Sequence, residues 1–228
     1  MRDIRPIHEE NPVHTVYEGL KEDIYTLRLL PGDQFRESQV AERFAAPRPA
    51  VRDALQRLER EGLLHARPRA AWVLRPFDFD RFDQLYELRQ ILELAAIERL
   101  CEAPLGVDLS PLTRVWMVPD AERLTDGRQL AALDEAFHNE LVRASGNAEM
   151  AAMHGEVQDK LRILRRLDFS RPGRIQAAYE EHAELLRLLL QRKAAQAAIL
   201  LRGHIEAGKA DARKFALHKL AAARQGQS

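Results

Sequence analysis

The sequence predicts a mainly α-helical chain in two parts: three short helices with a small β hairpin, then an all-α antiparallel helical bundle. Three observations carry this. Apolar side chains recur at three- and four-residue spacing over most of the 228 residues, the period of helices with one face on a core. The rhythm breaks over residues 63–74, where two short apolar runs flank Arg67-Pro68-Arg69 as strands flank a turn. A proline-marked junction, Arg75-Pro76-Phe77-Asp78-Phe79-Asp80, then separates the two parts, so that residues 1–75 and 76–228 are the expected domains.

In the first part, Asn11 offers a side-chain cap and Pro12 a first helical residue. Val13, Val16, Tyr17, Leu20, Ile24 and Leu27 predict a helix to about residue 29, stopped by the turn chemistry of Pro31-Gly32. A short helix is expected over 39–44. A third, over 47–61, carries Val51, Leu55 and Leu58 on one face, Arg48 and Arg52 on another, and Gly62 as its C-terminal cap. Strands are expected over 63–65 and 72–74. Three helices and a hairpin follow the order of a winged helix-turn-helix.

In the second part, Phe82, Leu85, Leu88, Ile91, Leu92, Ala95 and Ile97 predict a long helix to about residue 101. Residues 103–126 are the least regular, interrupted by Pro104, Pro111 and Pro119. Helices follow over 130–144, ended by Ser145-Gly146, and from the cap Asn147 to about 167. Ser170-Arg171-Pro172 opens another over 175–190, and the last runs from 194 to about 217. No alternating strand pattern interrupts them, hence a bundle.

Apolar residues make up 46% and charged residues 31%, the balance of a folded globular chain. No apolar run is long enough for a bilayer, no signal-peptide pattern opens the chain, and the lone Cys101 leaves no intrachain disulfide, so the cytoplasm is expected. Formal charge is zero, but its distribution is uneven. Over residues 44–75, seven basic residues, all arginine, stand against Asp53, Glu59 and Glu61. Arginine is favoured where phosphates or guanine edges are held bidentately.

The chemistry concentrates at Leu133-Asp134-Glu135-Ala136-Phe137-His138-Asn139-Glu140-Leu141. Asp134 and His138 leave one helix face together, among Ala131, Phe137, Leu141 and Val142 at core spacing. A carboxylate and an imidazole entering a core unpaired would be costly. His182 and His204 sit in Leu/Ala-rich helical surroundings of the same kind, and one ion bound by all four would satisfy each of them. Three imidazoles and a carboxylate suit one divalent transition metal ion such as Zn, Ni or Mn, with a position left for water or a ligand oxygen. Metal-assisted hydrolysis is the rival chemistry, but no further Glu or His stands at a readable spacing as general base, so an enzyme is not expected. A helical adaptor with a structural metal is a third reading. His8, His14, His154 and His218 read as surface or cap residues; His65 could touch a nucleic acid or be an ordinary strand residue. Glu181 lies about 100° around the helix from His182 and is expected to point elsewhere.

Leu30-Pro31-Gly32, Glu37, Val40-Ala41, Arg48, Val51-Arg52-Asp53-Ala54-Leu55, Leu58-Glu59 and Glu61-Gly62-Leu63 resemble the DNA-binding domain of GntR-family transcription regulators. Ala45-Ala46-Pro47-Arg48-Pro49-Ala50 departs from the family's usual Gly-Val-Ser-Arg-Thr-Pro, and Ala70-Ala71 stands where the wing usually turns on glycine. Leu85-Tyr86-Glu87-Leu88-Arg89-Gln90-Ile91-Leu92-Glu93, Asp134, Phe137, His138, Gly146-Asn147, Glu181-His182 and His204-Ile205 resemble the FCD effector domain of the FadR subfamily. The resemblance implies a repressor that binds operator DNA, an inverted repeat, as a homodimer, under control of a small organic acid. It places Arg48 and Arg52 of the third helix and Arg67 and Arg69 of the wing on DNA. It carries metal roles onto Asp134, His138, His182 and His204, and sets Arg89 at the mouth of the pocket to meet the acid's carboxylate. An ion pair of Arg89 with Glu93 is equally compatible with the spacing, and Arg162 or Arg165 could line the same pocket.

Overall fold

Asn11 caps the first helix as its position predicts: Oδ1 accepts the Val13 N–H at 3.0 Å, and α1 runs Pro12–Tyr25. The computed structural model describes residues 11–69, 71–103, 107–168 and 173–225, and the chain divides into two units, the second spanning Asp78–Ala221. The helix stops earlier than the apolar period suggests. Thr26 ends it, Leu27 turns with φ +57°, and the N–H groups of Arg28 and Leu29 close back on the Asp23 carbonyl.

In the N-terminal unit, α2 spans Glu37–Arg43 and α3 Arg48–Arg60. Pro47 takes the N-cap position of α3 without a side-chain cap, and Pro49 lies in the first turn, where missing N–H groups cost no ladder bond. The sheet has three strands, β1 Gln34–Arg36, β2 Leu64–Arg67 and β3 Ala71–Leu74, antiparallel in the order β1-β3-β2. The sequence did not announce β1. Three residues are too short for a period, and its pairing (Phe35 opposite Trp72) is a long-range contact. α1 packs on α3 and α3 on β2, burying Val16, Leu20 and Ile24 with Val51, Leu55 and Leu58 and with Leu64 and Leu74 of the sheet. The arrangement is a winged helix-turn-helix.

Every element of the C-terminal unit among its described residues is a helix. Asp78 caps α4, Phe79–Glu102, by accepting the Arg81 N–H at 2.9 Å. The irregular stretch holds a seven-residue helix, α5, Ser110–Trp116, and a single 3-10 turn. Then come α6 Gly127–Ala144, α7 Ala148–Asp168, α8 Arg174–Leu190 and α9 Ala194–Gln225. Asn147 caps α7 through the Met150 N–H at 3.1 Å. The opening expected at Ser170-Arg171-Pro172 and the histidine His8 lie outside the described residues. Phe137, Leu141, Leu161, Leu186, Leu201 and Ile205 fill the core around the polar centre of the bundle.

Candidate metal centre

Three helices deliver the four residues singled out in the sequence. Asp134 and His138 enter from α6, His182 from α8 and His204 from α9, all buried, with one potential ligand atom from each lying within 4.8 Å of the others. His182 is held by rings: Phe137 stacks on it at 3.9 Å between centroids, and Trp116 of α5 meets it edge-on at 4.1 Å. Nothing in the sequence pointed to Trp116, which stands in the stretch with least period.

Two carboxylates orient the imidazoles. Glu93 of α4, wholly buried, lies 2.6 Å from His138 Nδ1, and Glu181 lies 2.6 Å from His204 Nδ1. Burial alone would raise the Glu93 pKa, but the Arg89 guanidinium together with the hydrogen bonds from His138 and His154 outweighs burial and keeps it ionised. Glu181 is likewise held below its ordinary value, His204 and Arg174 together outweighing burial. An ionised carboxylate only accepts, so each Nδ1 carries a proton and each Nε2 is the ring atom turned towards the centre. Those two Nε2 atoms face each other at 3.2 Å. Burial pulls the His138 pKa down to about 3, and His182 also falls well below its ordinary value, so both rings are neutral near pH 7.

The remaining atoms have the same need. Both ring nitrogens of His182 and Oδ1 of Asp134 are buried with no hydrogen-bond partner among the described residues, His182 Nε2 standing 3.5 Å from that oxygen. Neutral buried imidazole lone pairs converging on a carboxylate oxygen are what a cation satisfies. The 3.2 Å between the facing nitrogens suits two ligands each about 2.0–2.1 Å from one ion. The residues present therefore fit a divalent transition metal.

A second layer surrounds them. Arg165 of α7 bonds Asp134 Oδ2 and Gln158 Oε1. Burial would raise the Asp134 pKa; Arg165 together with the rings of His138, His182 and His204 outweighs it and holds the carboxyl far below the usual range. Arg89 is buried, its Nε 2.6 Å from Glu93 Oε1, so the i+4 ion pair does form, while its Nη2 is buried without a hydrogen-bond partner. Arg89, Asp134, Arg165, Arg174, His204 and Gly208 line a cavity of about 20 Å³, room for about one water. Arg162 turns away to Glu135 and Asp159. Two expectations are corrected. His154 is not a surface residue but fully buried, with Nε2 3.0 Å from Glu93 Oε1 and Nδ1 2.9 Å from Asn139 Oδ1. Glu181 does not point elsewhere: one turn of side-chain reach brings it to His204 on the neighbouring helix.

In the N-terminal unit, Arg48 and Arg52 stand exposed one turn apart at the start of α3, and Arg67 and Arg69 are exposed on the wing. Arg52 is also tied to Glu37 of α2, at 3.0 and 3.3 Å, and the same carboxylate takes the Trp72 indole N–H at 3.4 Å. Arg67 Nε donates to His65 Nε2 at 3.2 Å.

Comparison with known proteins supplies the family. The profile of the bacterial regulatory proteins of the gntR family matches residues 12–74, and that of the FCD domain matches residues 84–207, more than half the chain. The chain belongs to the gntR family and carries an FCD domain. It is thus a DNA-binding transcription regulator. The Nta operon transcriptional regulator of Aminobacter aminovorans is 27% identical over 176 residues, 77% of this chain and 82% of that protein. The regulator LutR of Bacillus subtilis is 26% identical over 198 residues, 78% of this chain and 90% of its own. Among solved structures, Lar, which controls expression of the Listeria monocytogenes agr system, superposes with a TM-score of 0.66 at 19% identity, covering 93% of this chain and 99% of Lar. Escherichia coli McbR/YncC gives 0.64 at 18% identity, covering 89% and 97%. These two share the fold. No described helix is long and apolar enough to cross a membrane.

Proposed function

We propose that this gntR-family regulator is a cytoplasmic, FadR-type repressor whose operator binding is controlled by a small organic acid at a metal centre in the FCD domain. The observation that carries the reading is the pair of Nε2 atoms of His138 and His204, 3.2 Å apart with both Nδ1 atoms bound to carboxylates, beside the unpartnered nitrogens of His182 and Oδ1 of Asp134. Asp134, His138, His182 and His204 hold one Zn, Ni or Mn ion. The ion supplies a Lewis-acidic position for an acid's oxygen, and the buried Nη2 of Arg89 is the donor for the same acid's carboxylate. The ion pair with Glu93 fixes that guanidinium through its Nε and leaves Nη2 for the ligand.

On DNA, Arg48 and Arg52 of α3 enter the major groove while Arg67 and Arg69 of the wing meet the backbone or minor groove. The Glu37 carboxylate holds the Arg52 guanidinium in place for that contact. A homodimer reading an inverted repeat gains affinity by presenting two such modules together. The acid acts by binding one domain arrangement better than another, since equal affinity shifts nothing.

The test is elemental mass spectrometry on chelator-free protein and on His138→Ala, alongside operator binding of Arg52→Ala. One equivalent of a transition metal in the wild type, lost in His138→Ala, and weakened DNA binding by a fully metallated Arg52→Ala are expected. Metal-free wild-type protein would remove the metal centre while leaving the DNA-binding half intact.

A further inference from the structure

The buried centre must be reached, and most directions to it are closed. His182 lies behind Phe137 and Trp116, His138 behind Glu93, and Asp134 behind Arg165 and Gln158. One side differs. Arg174 and Gly208 line both the small inner cavity and a groove of about 450 Å³ that is open to solvent between α8 and α9, where Gly173, Ala177 and Ala207 form the rest of a small-residue wall and Glu181 and Asp211 its acidic edge. Gly208 has nothing within 4 Å of where a Cβ would stand. Across from it, Arg174 Nη1 lies 3.1 Å from Glu181 Oε2, the same oxygen that binds His204 Nδ1.

We infer that this groove is the entrance to the centre for the metal ion and for the anionic ligand that follows it, with Gly208 as the bare wall of its neck and Arg174 as the cation that guides the anion through. This rests on the metal reading above. Glycine is otherwise a poor choice inside a helix, costing roughly 0.5–1 kcal/mol against alanine; here its missing side chain keeps the neck open. Past the neck, Arg89 lines the inner cavity with its Nη2 buried and without a hydrogen-bond partner, a donor for the carboxylate that arrives there. The inner space takes about one water-sized group. A carboxylate arriving this way therefore lodges its head inside and keeps the rest of its body in the groove.

The experiment uses full-length apo-protein and cobalt(II), whose visible absorption reports the ion in a nitrogen and oxygen site. Uptake is followed by stopped flow, and removal by dipicolinate, a small dicarboxylate chelator. Gly208→Leu places a side chain in the neck and improves helix propensity, so folding is not threatened. Ala210→Leu adds a comparable side chain at an exposed position of the same helix and serves as control. Gly208→Leu is expected to reach the wild-type cobalt content with both uptake and removal slowed by about tenfold or more, while Ala210→Leu matches wild type. Arg174→Gln is expected to slow removal by dipicolinate without slowing uptake of the cation. Wild-type rates in Gly208→Leu would overturn the entrance, and unchanged removal in Arg174→Gln would overturn the guiding role. Failure of wild-type protein to bind cobalt at all would instead overturn the metal reading, and the entrance with it.

Discussion

Ala45 adopts φ +48° in the turn between α2 and α3, and Arg69 adopts φ +65° in the wing. Both are left-handed positions that glycine occupies without a Cβ clash. The first falls in the stretch where the resemblance marked the departure from Gly-Val-Ser-Arg-Thr-Pro. Ala45→Gly should therefore stabilise the N-terminal unit by about 0.5–1 kcal/mol, the relief of left-handed strain exceeding glycine's entropy; thermal melting checks it, and an unchanged or lowered midpoint would refute it. Glu37 gives a pH dependence. Its hydrogen bond to Arg52 holds its pKa below the ordinary 4.5 against the opposing effect of burial. The folded state thus binds this proton later than the unfolded chain, so the stabilisation is complete above about pH 4.5 and is lost as pH falls through the lower folded value. Glu37→Gln should flatten that part of the melting-temperature profile, and a parallel profile would exclude the pair as its source.

At the scale of elements, α4 matters through one side chain. Glu93 receives Arg89 from its own helix, His138 from α6 and His154 from α7, so it ties three helices and links the candidate effector contact to a candidate metal ligand. Orienting partners of this kind typically change metal affinity by about 10–100-fold. Glu93→Gln should weaken binding by that order in a chelator competition; wild-type affinity would reduce Glu93 to a packing role. Only the Arg89–Glu93 link of this network was visible as an i,i+4 spacing. His154 looked like a surface residue because its helix shows an apolar period that a lone histidine neither reinforces nor breaks. Its burial against Glu93 spans 61 residues of chain. Glu181 was misplaced for a related reason: helical angle describes where a side chain leaves its own helix, not which neighbour it reaches.

For the whole molecule, metal and DNA binding make separate predictions. A metal that binds only the folded bundle stabilises it by mass action, about 2.7 kcal/mol at a hundredfold excess over Kd. Chelation should lower the bundle's melting temperature, re-addition should restore it, and His182→Ala should abolish the response; a chelator-insensitive melt would contradict the metal reading. Operator affinity should fall with salt, and Arg67→Ala should reduce the slope of log affinity against log salt by about 1 if that arginine meets phosphate. An unchanged slope would remove it from the backbone contacts.

The sequence by itself determined the helical class, the order of helices and hairpin, and the four residues Asp134, His138, His182 and His204 that meet in the bundle. The elements are carried by local spacing, because a helix repeats every few residues and places Asp134 and His138 on one face whatever lies around them; His182 and His204 were marked by their Leu/Ala-rich helical surroundings and by the family resemblance. Tertiary structure alone decided that β1 completes the sheet, that Trp116 backs His182, that Arg165 closes on Asp134, and that Glu93 serves two helices besides its own. These are contacts between residues far apart in the chain. Packing selects such partners, and no local period encodes them.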